Sequence, residues 1–149
     1  MPSHCYQITV DKELGVIVVS FKGKIYPKDM VELLGELFHH KDYHAEFPTI
    51  YDFSGSSAIG YQIDVIPFVK RLGEFRNTSS APKRIGVTVK TPNQKFLINV
   101  FLKFAPSFNL DIMVFDEAKP CIAWIKENQA DQEKLSQLLK FNKEELAKR

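Results

Sequence analysis

Short runs of β-branched and aromatic residues alternate along this chain with stretches whose apolar residues recur every three or four positions. That alternation most constrains the fold. Residues 4–10 place Tyr6, Ile8 and Val10 on one face of a strand, and after the turn at Asp11–Gly15 residues 16–21 continue as a second strand, predicting a hairpin that Gly23 ends. From Tyr26-Pro27 onward the period changes: Met30, Leu33, Leu34, Leu37 and Phe38 form one helical stripe, with Pro27 at the favoured first position. Pro48 opens a third strand through Thr49, Ile50, Tyr51 and Phe53, with Asp52 near its carboxyl end and a hydroxyl-rich turn expected over residues 54–60. A helix starting near Asp64 carries Val65, Phe68, Val69, Leu72 and Phe75, and residues 77–82 read as a loop. Residues 84–89 predict a strand with Ile85, Val87 and Val89 on one face. A helix entered at Thr91-Pro92 follows, with an apolar body over 96–104, then a strand at 110–115 and a helix capped by Asp116. Leu135, Leu138, Leu139 and Leu146 give the charged final stretch an amphipathic helical pattern. Strands separated by helices require crossover connections. The expectation is a single α/β domain with a mainly parallel mixed sheet, an antiparallel N-terminal hairpin and flanking helices.

With 149 residues the chain is one domain's worth, and 20 basic against 18 acidic residues leave a net charge of +2, which gives no mandate for nucleic acid. Two cysteines, Cys5 and Cys121, make no disulfide framework and fit a reduced compartment. The first residues lack a basic segment followed by an apolar run, and no apolar run approaches the roughly 20 residues a membrane span needs. A cytoplasmic protein, peripheral to a membrane at most, is expected.

The order of elements, the 16–21 strand with Gly23, the Tyr51-Asp52-Phe53-Ser54 strand end, and the run from Phe115-Asp116-Glu117-Ala118 to Ala123-Trp124-Ile125 resemble the SpoIIAA-like (STAS-like) family over roughly residues 4–127. This assigns 1–128 to a SpoIIAA-like domain and 129–149 to an added amphipathic helix that packs on or extends it. Families of this group resemble both the anti-sigma-factor antagonists of sporulation and the CRAL-TRIO lipid-carrier domains. The resemblance implies regulatory binding, or the holding of an apolar ligand, and brings no catalytic apparatus.

Two features compete for the function. In the antagonists a serine at a helix start is the phosphorylated switch, and a phosphate there is favoured by the helix dipole and free N–H groups. The corresponding turn here contains Ser56 and Ser57, but lacks the preceding aspartate and the following glycine; the alternative is that these serines cap backbone groups. The apolar helix is the stronger anomaly. Its polar face is one narrow stripe, Asn99 and Lys103, so Phe96, Leu97, Val100, Phe101, Phe104 and Phe108, with Phe68, Leu72 and Phe75 of the preceding helix, form an expected surface for a ligand, a membrane or a second copy. Core packing is the alternative. Lys83, Arg84, Lys90, Lys95 and Lys103 form a basic surround that would suit anionic lipid or simply face water.

No catalytic residue, metal or cofactor is expected. His40 and His44 have ligand spacing only on a continued helix, Asp52 and Asp64 show no perturbing environment, and neither cysteine has an activating partner in the pattern. The expected function is non-enzymatic: a binding or regulatory protein of the SpoIIAA-like type that holds an apolar ligand or meets a membrane or protein partner, with no nucleic-acid partner and with a homodimer expected. The alternative is a phospho-regulated partner switch at Ser56 or Ser57.

Overall fold

The computed structural model describes residues 5–149, so the expected strand start at His4 and the reading of the first four residues lie outside it. The strands are β1 (Tyr6–Asp11), β2 (Val16–Ile25), β3 (Thr49–Ala58), β4 (Lys83–Thr88) and β5 (Leu110–Phe115). The helices are α1 (Pro27–Phe38), α2 (Val65–Leu72), α3 (Pro92–Leu102), α4 (Ala118–Ile125) and α5 (Gln129–Ala147). The strands form one sheet in the order β1-β2-β3-β4-β5, antiparallel between β1 and β2 and parallel elsewhere.

That order decides the layers. Each crossover from β2 to β5 steps one strand in the same direction, and crossovers of one hand then lay α1, α2 and α3 on the same face. Ile17, Val19 and Phe21 pack with Leu33 and Leu37 there, while Leu34, Leu72, Val100 and Phe101 join the three helices. The opposite face is left to α4 and α5: Val16, Val18 and Ile50 pack with Cys121, Ile122, Ile125, Leu135 and Leu139. Residues 16–21 are buried without alternation because β2 is covered on both sides.

Five boundaries differ from expectation, the first three each for a local reason. Gly23 does not end β2; it takes φ +70° inside the strand, a conformation open to glycine, and pairing continues to Ile25. The expected turn at 54–60 is mostly strand. Between Ser20↔Asp52 and Lys22↔Gly55, β3 uses one residue more than β2, a β-bulge that lets it run on to Ala58. Gly55 sits where a Cβ would come 3.0 Å from the Phe21 carbonyl oxygen. Asp116 does not cap α4: Glu117 holds the cap position, and the Asp116 carboxylate pairs with Lys95 at 3.0 Å. The helical segments expected over 65–75 and 96–108 are also shorter, ending at Leu72 and Leu102, with a 3-10 turn at Ala105–Phe108.

Helix α5 is tied to the sheet by polar pins as well as leucines. Asn142, fully buried, donates from Nδ2 to the Gln7 carbonyl and the Ser20 hydroxyl, both at 2.9 Å, and accepts from the Thr9 hydroxyl at 2.5 Å. Asp52 is buried beneath the same helix, where Thr88 Oγ1 and Ser54 N donate to Oδ1 and Lys143 pairs with Oδ2 at 2.9 Å. Burial pushes its pKa up, but the bonds from Ser54, Thr88 and Lys143 prevail and hold it below the usual value. A carboxylate whose folded pKa is depressed stabilises the fold above its unfolded pKa, about 4, and that contribution disappears as pH falls through the folded value. Asp52→Asn is therefore expected to lower stability at pH 7 by roughly 1–3 kcal/mol, with the gap from wild type closing below about pH 4. Urea titrations at pH 7 and pH 3 check this; a gap that persists undiminished in acid contradicts it.

Candidate functional site

Beneath α1, α2 and α3 the chain does not close fully on the sheet. A cavity of about 160 Å³ remains, floored by Tyr51, Phe53, Ile85 and Val87 and roofed by Leu34, Phe68, Leu72, Leu97 and Phe101. Strand alternation builds the floor: Tyr51 and Phe53 of β3, Ile85 and Val87 of β4 and Val89 just past its end project to this face, whereas Asp52 and Thr88 project to the other. The roof owes its character to α3, whose apolar circumference lets Leu97, Ile98 and Phe101 face the cavity while Val100 packs with the neighbouring helices.

The two ends of the cavity differ chemically. At the carboxyl ends of the strands the lining reaches Tyr26 and Ile59, 42 % and 40 % exposed, which mark where it meets the surface. Next to that mouth Tyr61 and Ile63 are 80 % and 74 % exposed. Gln94 closes the wall there. It is buried, accepts from Lys90 N and Thr91 N through Oε1, and donates through Nε2 to the Phe53 and Ser56 carbonyls, tying the entry of α3 to the bulged end of β3.

At the amino end of β4 the lining becomes cationic. Arg76 and Lys83 are each 4 % exposed and both contribute to the cavity wall. Arg76 donates to the Phe108, Ala81 and Asn109 carbonyls, fixing the segments on either side of β4. Lys83 has Nζ 3.5 Å from the Tyr43 hydroxyl and 4.9 Å from the centre of its ring. Neither cation has a carboxylate partner among the described residues. Burial, and after it the charge of Arg76, pulls the Lys83 ammonium down to about 7. Burial also raises the pKa values of Tyr43 and Tyr51, so both phenols stay protonated.

The sequence-predicted residues fall into four groups. Phe68, Leu72, Leu97 and Phe101 line the cavity. Val100, Phe104 and Phe108 pack within the cluster between the helices, and Phe75 stacks on Phe38 at 4.4 Å. Phe96 turns outward and is 46 % exposed. Ser56 and Ser57 lie in β3 instead of at a helix start, and the Ser56 hydroxyl donates to the Phe53 carbonyl at 2.9 Å.

Arg76, Lys83 as an inward group, Tyr43 and Gln94 were not expected at a site. For Lys83 the signal was present: extending the 84–89 strand back by one residue puts it in register with Ile85, Val87 and Val89. For Gln94 it was the Thr91–Gln94 spacing of a capping box, which the helix forms.

Other candidate groups are used structurally. The His40 and His44 Nδ1 atoms accept from Asp42 N and Glu46 N, Asp64 accepts from Tyr61 N, and Asp52 and Asp64 serve opposite faces of the sheet. Among the described residues no group of three or more His, Cys, Asp or Glu is placed to hold a metal ion, and no helix is long and apolar enough to cross a membrane. The Cys121 thiol is buried, and burial followed by the nearby Asp52 charge pushes it up to about 12, which keeps it protonated and a poor nucleophile.

A search of solved structures aligns the chain with a protein of the DUF3478 family from Shewanella loihica PV-4, described as uncharacterized and as having a SpoIIAA-like fold. The alignment covers 82 % of this chain and 94 % of that one, with a TM-score of 0.51 and 14 % identity. The fold is SpoIIAA-like. No protein-family model matches the sequence, and no curated protein matches it significantly. In this SpoIIAA-like domain the cavity lies between the sheet and the three crossover helices, and α4 and α5 close the other face.

Proposed function

We propose that this protein is a non-enzymatic binding protein that holds a small, apolar-bodied ligand between its sheet and helices α1–α3. The observation that carries the proposal is the cavity itself. An apolar cavity of about 160 Å³ that opens to the surface at one end gives an apolar occupant packing contacts on several sides and removes its surface from water. Voids near that size, lined by Leu, Ile and Phe, take up benzene-sized molecules. The exposed Tyr61 and Ile63 beside the mouth support entry from that end. None of the named residues combines a nucleophile, a base and an orienting partner, which favours binding over turnover.

Octanol serves as a neutral probe. The melting temperature of the wild-type protein is expected to climb with octanol concentration, as mass action requires for a ligand of the folded state. Val87→Phe, which places a ring on the cavity floor, is expected to fold and to lose the response. A wild-type melting curve indifferent to octanol, or an equal response in the folded variant, refutes the proposal. Denaturing mass spectrometry of the purified protein then identifies any small molecule it carries.

A further inference from the structure

The cationic end of the cavity specifies more than an apolar ligand. Lys83 and Arg76 are both buried in the wall of a mostly apolar space whose other polar lining, Gln94 and Asp64, lies towards the mouth, and no carboxylate of the described residues pairs with either cation. Buried charges are ordinarily paired, because removing an ion from water is costly unless a counter-charge repays it. Arg76 is partly repaid by three backbone carbonyls. Lys83 has three donors and only the distant Tyr43 hydroxyl and ring to meet them. Both cations are buried at the amino end of β4, the opposite end from Tyr26 and Ile59, so a molecule entering beside those two meets the cations last and head first.

Resting on the binding function above, we propose that the ligand is an apolar monocarboxylate whose carboxylate seats beside Lys83 and Arg76 and whose hydrocarbon body lies along Ile85, Val87, Leu97 and Phe101. A carboxylate offers lone pairs enough for the Lys83 ammonium, the Arg76 guanidinium and the Tyr43 hydroxyl together. Burial and the neighbouring Arg76 charge both work against the Lys83 ammonium, and a carboxylate seated between the two cations opposes both effects. The cavity volume limits the body to roughly the bulk of one aromatic ring or a medium-length alkyl chain.

Octanoate and octanol share a chain and differ in the head, and their affinities at pH 6.5 separate the two proposals. Wild-type protein is expected to bind octanoate at least about tenfold more tightly than octanol, the difference one charge-assisted hydrogen bond makes in a dry site. Lys83→Met, which keeps an unbranched side chain without the charge, is expected to erase that preference while still binding octanol. If wild type binds both equally, or if the folded variant keeps the preference for octanoate, the carboxylate assignment is overturned and the apolar cavity stands. If neither ligand binds, both proposals fall. The wild-type comparison decides the matter even where Lys83→Met does not fold.

Discussion

Gly86→Ala is expected to destabilise the protein by roughly 1–3 kcal/mol, lowering the melting temperature by roughly 3–10 °C. Gly86 lies in β4, paired with Ile50 on one side and Met113 on the other, and faces α4. A Cβ at this position would come 2.5 Å from Cys121 Sγ, closer than unbonded atoms allow, and 3.7 Å from the Ile125 side chain. The thiol has nowhere to retreat, since Cys121 is itself fully buried among Val16, Val18 and Ile122. Alanine reduces the freedom of the unfolded chain, which favours the variant by under about 1 kcal/mol and does not offset the collision. Cys121→Ala removes the atom responsible, so the double variant is expected to recover most of the loss. Calorimetry on the four members of the cycle checks this. Losses that simply add would place the damage somewhere other than that contact.

Asn142→Leu is expected to cost about 3 kcal/mol although leucine has nearly the same size. The change leaves the Gln7 carbonyl and the Thr9 and Ser20 hydroxyls without their common partner beneath α5, and each buried polar group left unmet is costly. Deleting residues 129–149 goes further. Leu135, Leu139 and Leu146 are all buried, and their loss alone removes roughly 5–9 kcal/mol of apolar burial, comparable with the whole stability of an ordinary domain. The shortened chain is expected to lack a cooperative unfolding transition and to bind 8-anilinonaphthalene sulfonate through Val16, Val18 and Ile50. A sharp transition close to that of the full chain would mean that 1–128 is complete without α5.

Much of this architecture was legible in the sequence because burial on two faces and burial on one leave different patterns. The unbroken apolar run of β2 and the leucines of α5 each point to the packing they make. The bulge between Asp52 and Gly55 was not legible, since Ser-Gly-Ser-Ser reads as turn chemistry, and the continued pairing with β2, the bonds from Gln94 and the glycine's close approach to β2 keep the segment extended. The greasy circumference of α3 was visible, but its purpose was not. Periodicity shows that a helix needs covering; it does not say whether the cover is sheet, solvent-filled space or another molecule. Lys83 was obscured for a related reason: an isolated lysine at a strand's first residue looks like surface, and its burial depends on α1 and α2 arriving over it from distant sequence.

The position of α5 also bears on how the chain is made. Every strand is synthesised before it, yet it covers the outer side of β1 and shares that of β2 with α4, through contacts such as that between Gln7 and Asn142. A nascent chain in which α5 has not yet docked therefore carries an unfinished sheet, with Val16 and Val18 only partly covered. Until that helix docks, the chain offers an apolar surface of the kind chaperones hold.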